Sequence, residues 1–132
     1  MSNEKKVLIV DDEPDAIDIV KAMLSEIEGI SVLSANDGNS GLEKAKEAKP
    51  DLIILDVQMP GKNGFEVYYE LKKNESTKGI PVIMLTGIGD KTGIRFSSQD
   101  MEEFIGTPPE AYIEKPVDAE TLQNTVSKII GQ

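Results

Sequence analysis

Residues 5–14 read KKVLIVDDEP, in which four consecutive apolar side chains lead into three acids and a proline. An apolar run of this length between polar residues is typical of a strand that is buried on both faces. Neighbouring acids repel one another, so a cluster of three at the end of a strand, Asp11, Asp12 and Glu13, requires an explanation. Either they begin a helix, as Pro14 favours, or they help to hold a divalent cation.

Similar apolar runs recur along the chain and predict further strands. The predicted strands are residues 7–10, 30–33, 52–55 and 81–85, with a shorter one at 111–114. Between them, apolar residues recur at helical spacing. Strands that alternate with helices indicate an α/β fold, in which a five-stranded parallel sheet is covered by helices on both faces.

The helices are bounded by stop and cap signals. They are expected at 17–27 before Gly29, at 39–49 as an exposed helix ended by Pro50, around 65–71, and at 122–130 after the cap Asp118. The least regular region is 87–110, where only 97–105 shows a helical pattern. A fourth helix is therefore expected to be short, late or distorted.

Composition excludes several classes of function. The 132 residues include 24 acids and 14 bases, giving a net charge of −10, which argues against direct binding to nucleic acids or anionic membranes. Cysteine and histidine are both absent, so disulfides, thiolate or imidazole metal ligands and histidine-based catalysis are excluded. No apolar run approaches the ~20 residues of a membrane span. We expect one cytoplasmic domain, residues 1–132, without an output domain.

Polar side chains follow the predicted strands at one end. Asp11 and Asp12 follow the first strand, Asp56 the third, Thr86 the fourth and Lys115 the fifth. Taken singly, each is an ordinary turn, strand-end or surface residue. The carboxyl ends of parallel strands share one edge of a sheet, so these residues are expected to line one rim.

The charges on this rim indicate what it binds. Two unit charges about 4 Å apart repel by roughly 4 kcal/mol at an effective dielectric constant near 20, so three carboxylates favour a bound cation. Carboxylate oxygens suit Mg²⁺, which usually binds one or two carboxylates together with waters and phosphate oxygens. Lys115 and Thr86 would offset the charge of an incoming phosphoryl group.

Four stretches, LIVDDEP, IILDVQMPGKNG, PVIMLTG and AYIEKPVD, resemble the receiver domain of two-component response regulators. The resemblance spans nearly the whole chain and implies the flavodoxin-like strand order 2-1-3-4-5, which the residue pattern does not itself establish. It implies a signalling module that accepts a phosphoryl group from a sensor histidine kinase, a phosphotransfer protein or a small acyl phosphate. Such a module is no general enzyme, because it catalyses only its own phosphorylation and dephosphorylation.

The resemblance also implies roles for individual residues. Asp56 matches the phosphorylated aspartate and also a ligand of Mg²⁺. Asp12 matches a direct ligand of this ion, and Asp11 matches an acid that acts largely through water. The backbone carbonyl of Gln58 matches the remaining protein ligand.

A second set of residues matches the switch. Thr86 corresponds to the hydroxyl residue that contacts the phosphoryl oxygens, and Lys115 to the lysine that pairs with them. Pro116 corresponds to a proline that follows a cis bond. Tyr112 matches the aromatic that turns inward on activation, although an ordinary half-buried tyrosine is the alternative. The surface of the fourth helix, fifth strand and fifth helix would then control an unknown effector, in a monomer or a weak phosphorylation-dependent dimer.

Some alternative interpretations stay open. Thr86 and Lys115 are 29 positions apart, more than the family usually has. The excess is either a docking loop or a tolerated extension. A degenerate receiver that serves as a constitutive protein-interaction scaffold is the main alternative function. A Mg²⁺-dependent phosphohydrolase of the haloacid-dehalogenase type is disfavoured, because Gln58 stands where that chemistry needs a second aspartate.

Overall fold

Alternating apolar strands and amphipathic helices build a sheet with helices on both faces. The computed structural model describes residues 4–87 and 109–131. Its elements are β1 (Lys5–Val10), α1 (Pro14–Leu24), β2 (Ile30–Ala35), α2 (Gly38–Ala48), β3 (Leu52–Asp56), α3 (Gly64–Lys73), β4 (Val82–Thr86), β5 (Ala111–Glu114) and a C-terminal helix (Ala119–Ile130).

All five strands are parallel and lie in the order β2-β1-β3-β4-β5, which confirms the expected fold class. The strand order reverses between β1 and β3, where ligands bind in open α/β sheets. Val10 pairs with Leu55 in this central ladder. The next residues, Asp11 and Asp56, therefore leave the sheet side by side.

Successive strand residues point to opposite faces and build two separate cores. Leu8 and Val10 of β1 pack on the face covered by α2 and α3. Val7 and Ile9 pack on the face covered by α1 and the C-terminal helix. Both faces of β1 and β3 are thus buried, which accounts for their unbroken apolar sequences.

The first two helices differ from expectation. α1 ends at Leu24, not at Ile27, because the chain turns there and the amide of Ile27 donates to the carbonyl of Leu24. Ile27 still packs against the core, which explains why its spacing looked helical. The prediction that the second helix is exposed was wrong for one face of α2, which is buried through Gly38, Gly41, Leu42 and Ala45.

The ends of α2 and of the C-terminal helix follow local chemistry. Lys49 ends α2 in the left-handed region at φ 49°, a common conformation at the C-terminal end of a helix. The expected cap of the last helix is confirmed, with the Asp118 carboxylate accepting from the amide of Thr121. The predicted irregular helix at 97–105 and most of the segment 87–110 lie outside the described residues.

Within residues 4–87 and 109–131, no helix has both the length and the apolar character that crossing a bilayer requires.

Two isoleucines of α1 provide a matched test of this packing. Ile17 is 8% exposed in one core, whereas Ile19 is 54% exposed on the same helix. We expect Ile17→Ala to lower the free energy of unfolding by about 2–4 kcal/mol, because it removes buried apolar volume. Ile19→Ala should change that free energy by no more than about 0.5 kcal/mol. Urea unfolding of both variants checks the assignment, and equal losses would contradict it.

Candidate functional site

The end of β1 places two carboxylates at the switch point of the sheet. The amide of Asp11 still donates to the Ala35 carbonyl of β2, so this residue continues the strand pairing. Its Oδ1 accepts from the amide of Glu13 at 3.0 Å, which fixes the turn into α1. Asp11 is buried and Asp12 is half-buried. Pro14 does begin α1, but Glu13, at the cap position, makes no side-chain capping bond.

Asp56, the last residue of β3, is held by the turn that follows it. The amide of Gly64 donates back to the Val57 carbonyl at 2.8 Å. A Cβ on Gly64 would lie 2.3 Å from the backbone oxygen of Asp56, so only glycine allows this approach. The Asp56 side chain is buried and lies beside the acids that follow β1.

These acids converge as the sequence predicts. Asp11, Asp12 and Asp56 each offer a carboxylate oxygen, and the three oxygens lie within 4.8 Å of one another. Lys115 lies among them, with its Nζ 2.7 Å from Asp56 Oδ1 and 3.5 Å from Asp11 Oδ2. The Lys115 amide donates to the Thr86 carbonyl at 2.7 Å, which ties this residue to the end of β4. The bond between Lys115 and Pro116 is cis, as expected.

Burial dominates the electrostatics of this cluster. It raises the pKa of Asp56 to about 6, and the charges of Asp11 and Asp12 add to the rise. The hydrogen bond and charge of Lys115 oppose that rise but do not cancel it. Burial by itself lowers the pKa of Lys115, yet its hydrogen bond to Asp56 and the two neighbouring carboxylates outweigh burial and raise the pKa overall.

This donor set fits a divalent cation of the Mg²⁺ type. Carboxylate oxygens are its preferred protein ligands, and three of them lie within reach of one ion. One ammonium group against three carboxylates leaves the cluster negative, so a cation would relieve the remaining repulsion. Asp12 is half-buried, not closed off like the other two acids, which leaves room for water or phosphate oxygens.

The remaining predicted site residues lie on β4, on β5 and in the turn after β3. Thr86 is half-buried at the end of β4, in register with Glu114. Gln58 is exposed in the turn after β3. Tyr112 of β5 pairs with Met84 and packs, half-buried, against the core. The structure thus gives the positions of these three residues, while their roles stay predictions.

Sequence reasoning missed the residues that shape the turn after β3. Asn63 Oδ1 accepts from the Glu66 amide at 3.0 Å, and Glu66 Oε1 accepts from the Asn63 amide at 2.8 Å. This reciprocal capping box starts α3. Its signal was present as Asn63 followed three residues later by Glu66, with Gly64 between them.

The geometry agrees with comparison to known proteins. Residues 7–127 match the family described as the response regulator receiver domain. The chain belongs to this family. As a receiver domain it is similar to protein PilH of Pseudomonas aeruginosa, with 37% identity over 130 residues that cover 96% of this chain and 98% of PilH. It is also 35% identical to the transcriptional regulator RpaA of Synechocystis, but spans only 48% of that protein.

Solved structures share the receiver fold. Chemotaxis protein CheY4 of Vibrio cholerae superimposes with a TM-score of 0.78 at 31% identity, covering 96% of this chain and 98% of that one. The receiver domain of sensor histidine kinase PA1611 from Pseudomonas aeruginosa gives a TM-score of 0.79 at 26% identity, covering 98% and 99% of the two chains. That neighbour has a magnesium ion coordinated in its active site cleft.

The raised pKa of Asp56 predicts a pH dependence of stability without metal. A carboxyl whose pKa is about 6 when folded and 3.8 when unfolded holds its proton more tightly in the folded chain. Its stabilising contribution is therefore complete below about pH 4 and is lost as the pH rises through about 6. As the pH rises from about 4 to above about 6, the free energy of unfolding of the parent should fall by about 3 kcal/mol relative to that of Asp56→Asn.

Urea unfolding in the presence of a chelator, at several pH values, measures this difference. Curves of stability against pH that run parallel for the parent and the Asp56→Asn variant would contradict the raised pKa.

Proposed function

We propose that this receiver domain accepts a phosphoryl group on Asp56 in a Mg²⁺-dependent reaction, and that the modified domain controls a partner protein. The observation that carries the proposal is the pairing of Lys115 with Asp56 at 2.7 Å inside a cluster of three carboxylates. A structural ion pair needs no further acids beside it. A phosphorylation site needs an anionic nucleophile, a cation beside the transferred group and ligands for a metal.

Asp56 would act as the nucleophile. One carboxylate oxygen forms a bond to phosphorus while the bond from phosphorus to the donor breaks, and the donor keeps that electron pair. Lys115 already lies within hydrogen-bonding distance of Asp56, so it can follow the negative charge onto the new acyl phosphate. The domain therefore contributes mainly positioning and charge neutralisation.

Asp11, Asp12, Asp56 and the backbone carbonyl of Gln58 would hold Mg²⁺. The bound ion supplies charge neutralisation for the phosphoryl oxygens. Asp11 also accepts from the Glu13 amide, which orients its carboxylate toward the cluster. The receiver of PA1611, with magnesium in its cleft, supports this assignment.

Thr86 and Tyr112 would convert the modification into a change of surface. A new phosphoryl group adds charge and strong acceptor oxygens. Thr86 stands at the end of β4, beside the Lys115 backbone, and its hydroxyl is a suitable donor to those oxygens. Movement of Thr86 would free space near β4 for Tyr112, which lies on the adjacent strand. The two states must already be close in free energy for this shift to occur.

The partners follow from the same chemistry. A phospho-histidine on a separate sensor kinase or phosphotransfer protein is the expected donor, since this chain has no histidine. The expected target is a protein, because a net charge of −10 disfavours nucleic acids. We assign the domain to the cytoplasm, acting as a monomer or a weak phosphorylation-dependent dimer.

Acetyl phosphate tests the acceptor directly. With Mg²⁺ present, intact-mass spectrometry should show the gain of one phosphoryl group on the parent protein. The gain should vanish with chelator or in Asp56→Asn, because the nucleophile or the metal is missing. Asp18→Asn is the matched control, since Asp18 is exposed on α1, outside the cluster. A parent that gains no mass would reject the proposal and favour a constitutive scaffold.

The switch is tested separately through Thr86→Ala. Beryllofluoride with Mg²⁺ mimics the phosphorylated state, and NMR of the Tyr112 ring reports the rearrangement. We expect the parent to show a new Tyr112 environment, and Thr86→Ala to keep the free-state environment while still gaining phosphoryl mass. The reason is that the substitution removes the donor that responds to the new oxygens and leaves the nucleophile intact. A full Tyr112 response in Thr86→Ala would contradict the assigned role.

A further inference from the structure

The turn after β3, residues 57–63, contacts the first turn of α2 very closely. A Cβ at Gly38 would lie 3.0 Å from both the Cβ and the backbone oxygen of Lys62, and 2.9 Å from Cγ2 of Val67. Gly38 is the first residue of α2, and the Asp37 side chain caps this helix by accepting from the Ser40 amide at 2.7 Å. The helix start and the turn are thus packed with no room for a side chain.

Close packing, not backbone conformation, requires glycine at position 38. Gly38 is absent from the residues of positive φ, so a left-handed conformation does not require it. Val67 is a buried core side chain, and the Lys62 carbonyl belongs to the backbone and can move only with its turn. An added methyl group would therefore push residues 57–63 away from α2.

This turn is closed at its far end as well. The Gly64 amide donates to the Val57 carbonyl, and the Lys62 ammonium forms an ion pair with Glu70 of α3. Gln58 and Lys62 are four positions apart within it. Gly64 lies directly after this turn, and a Cβ there would lie 2.3 Å from the Asp56 backbone oxygen, so the turn packs closely on that side as well. A displacement at Lys62 would act on the rest of residues 57–63, which include Gln58.

We propose that Gly38 is a positioning residue for the metal site. By leaving space for residues 57–63 against α2, it sets the position of the Gln58 backbone carbonyl relative to the three carboxylates. This inference rests on the proposed function, in which that carbonyl is a ligand of Mg²⁺. A purely structural role for Gly38 would change stability and leave the affinity for Mg²⁺ untouched.

Calorimetric titration of Mg²⁺ into Gly38→Ala and the parent tests the proposal. We expect the dissociation constant to rise about tenfold, the lower end of the effect of losing a group that orients metal ligands. Amide NMR of the Mg²⁺-free variant should show shifted resonances across 57–63. Gly79→Ala is the matched control, because a Cβ there meets nothing within 4 Å. Val126→Ala, in the core on the opposite face, controls for general loss of stability.

An unchanged dissociation constant in a folded Gly38→Ala would overturn the inference, as would an equal rise in Val126→Ala. If Gly38→Ala does not fold, the double variant Gly38→Ala/Val67→Ala is compared with the single variant Val67→Ala. The Val67→Ala substitution removes the methyl group that an added Cβ would meet, while the contact with the Lys62 backbone stays. The double variant should then bind about tenfold more weakly than Val67→Ala. A parent that binds no Mg²⁺ would instead reject the proposed function itself, an outcome distinct from equal affinities.

Discussion

The burial of two carboxylates, with a third half-buried carboxylate and one ammonium group beside them, governs this molecule. Asp11 and Asp56 are taken out of water by the same strands that build the core, and Lys115 compensates only part of their charge. Burial of an unbalanced charge costs stability unless a partner arrives. The raised pKa of Asp56 expresses that cost. A site of this kind favours binding a cation, which is the property that a phosphoryl-accepting receiver requires.

The fold serves this site by aligning strand ends. Asp11 and Asp12 follow β1, Asp56 ends β3 and Lys115 follows β5, so the register of the sheet, not a loop, sets their spacing. The turn after β3 is irregular, and it is braced by Gly64, by the capping box of Asn63 and Glu66, and by its contact with Gly38. Rigid placement of the proposed ligands and nucleophile would reduce the reorganisation needed during the proposed phosphoryl transfer.

The strands could be predicted from the sequence because a strand that is buried on both faces has a continuous apolar sequence. The sequence also predicted that Asp11, Asp12, Asp56 and Lys115 converge, since the carboxyl ends of parallel strands share an edge. The strand order came from family resemblance, because periodicity does not determine which strands are neighbours. The end of α1 was misplaced, since Ile27 packs in the core from a turn. The Gly38 contact depends on tertiary packing between distant segments, which no local pattern reveals.

The most direct test of this account is an NMR titration of the Asp56 side-chain carboxyl, without metal and with saturating Mg²⁺. Because the Asp56 carboxyl is buried among other acids, we expect its pKa to be about 6 without metal, against an ordinary value of 3.8. We expect a clear fall in that pKa when Mg²⁺ is added, because the cation stabilises the charged form. An Asp56 carboxyl that titrates near its ordinary pKa under both conditions would contradict the claim that the cluster carries excess negative charge that a bound cation neutralises.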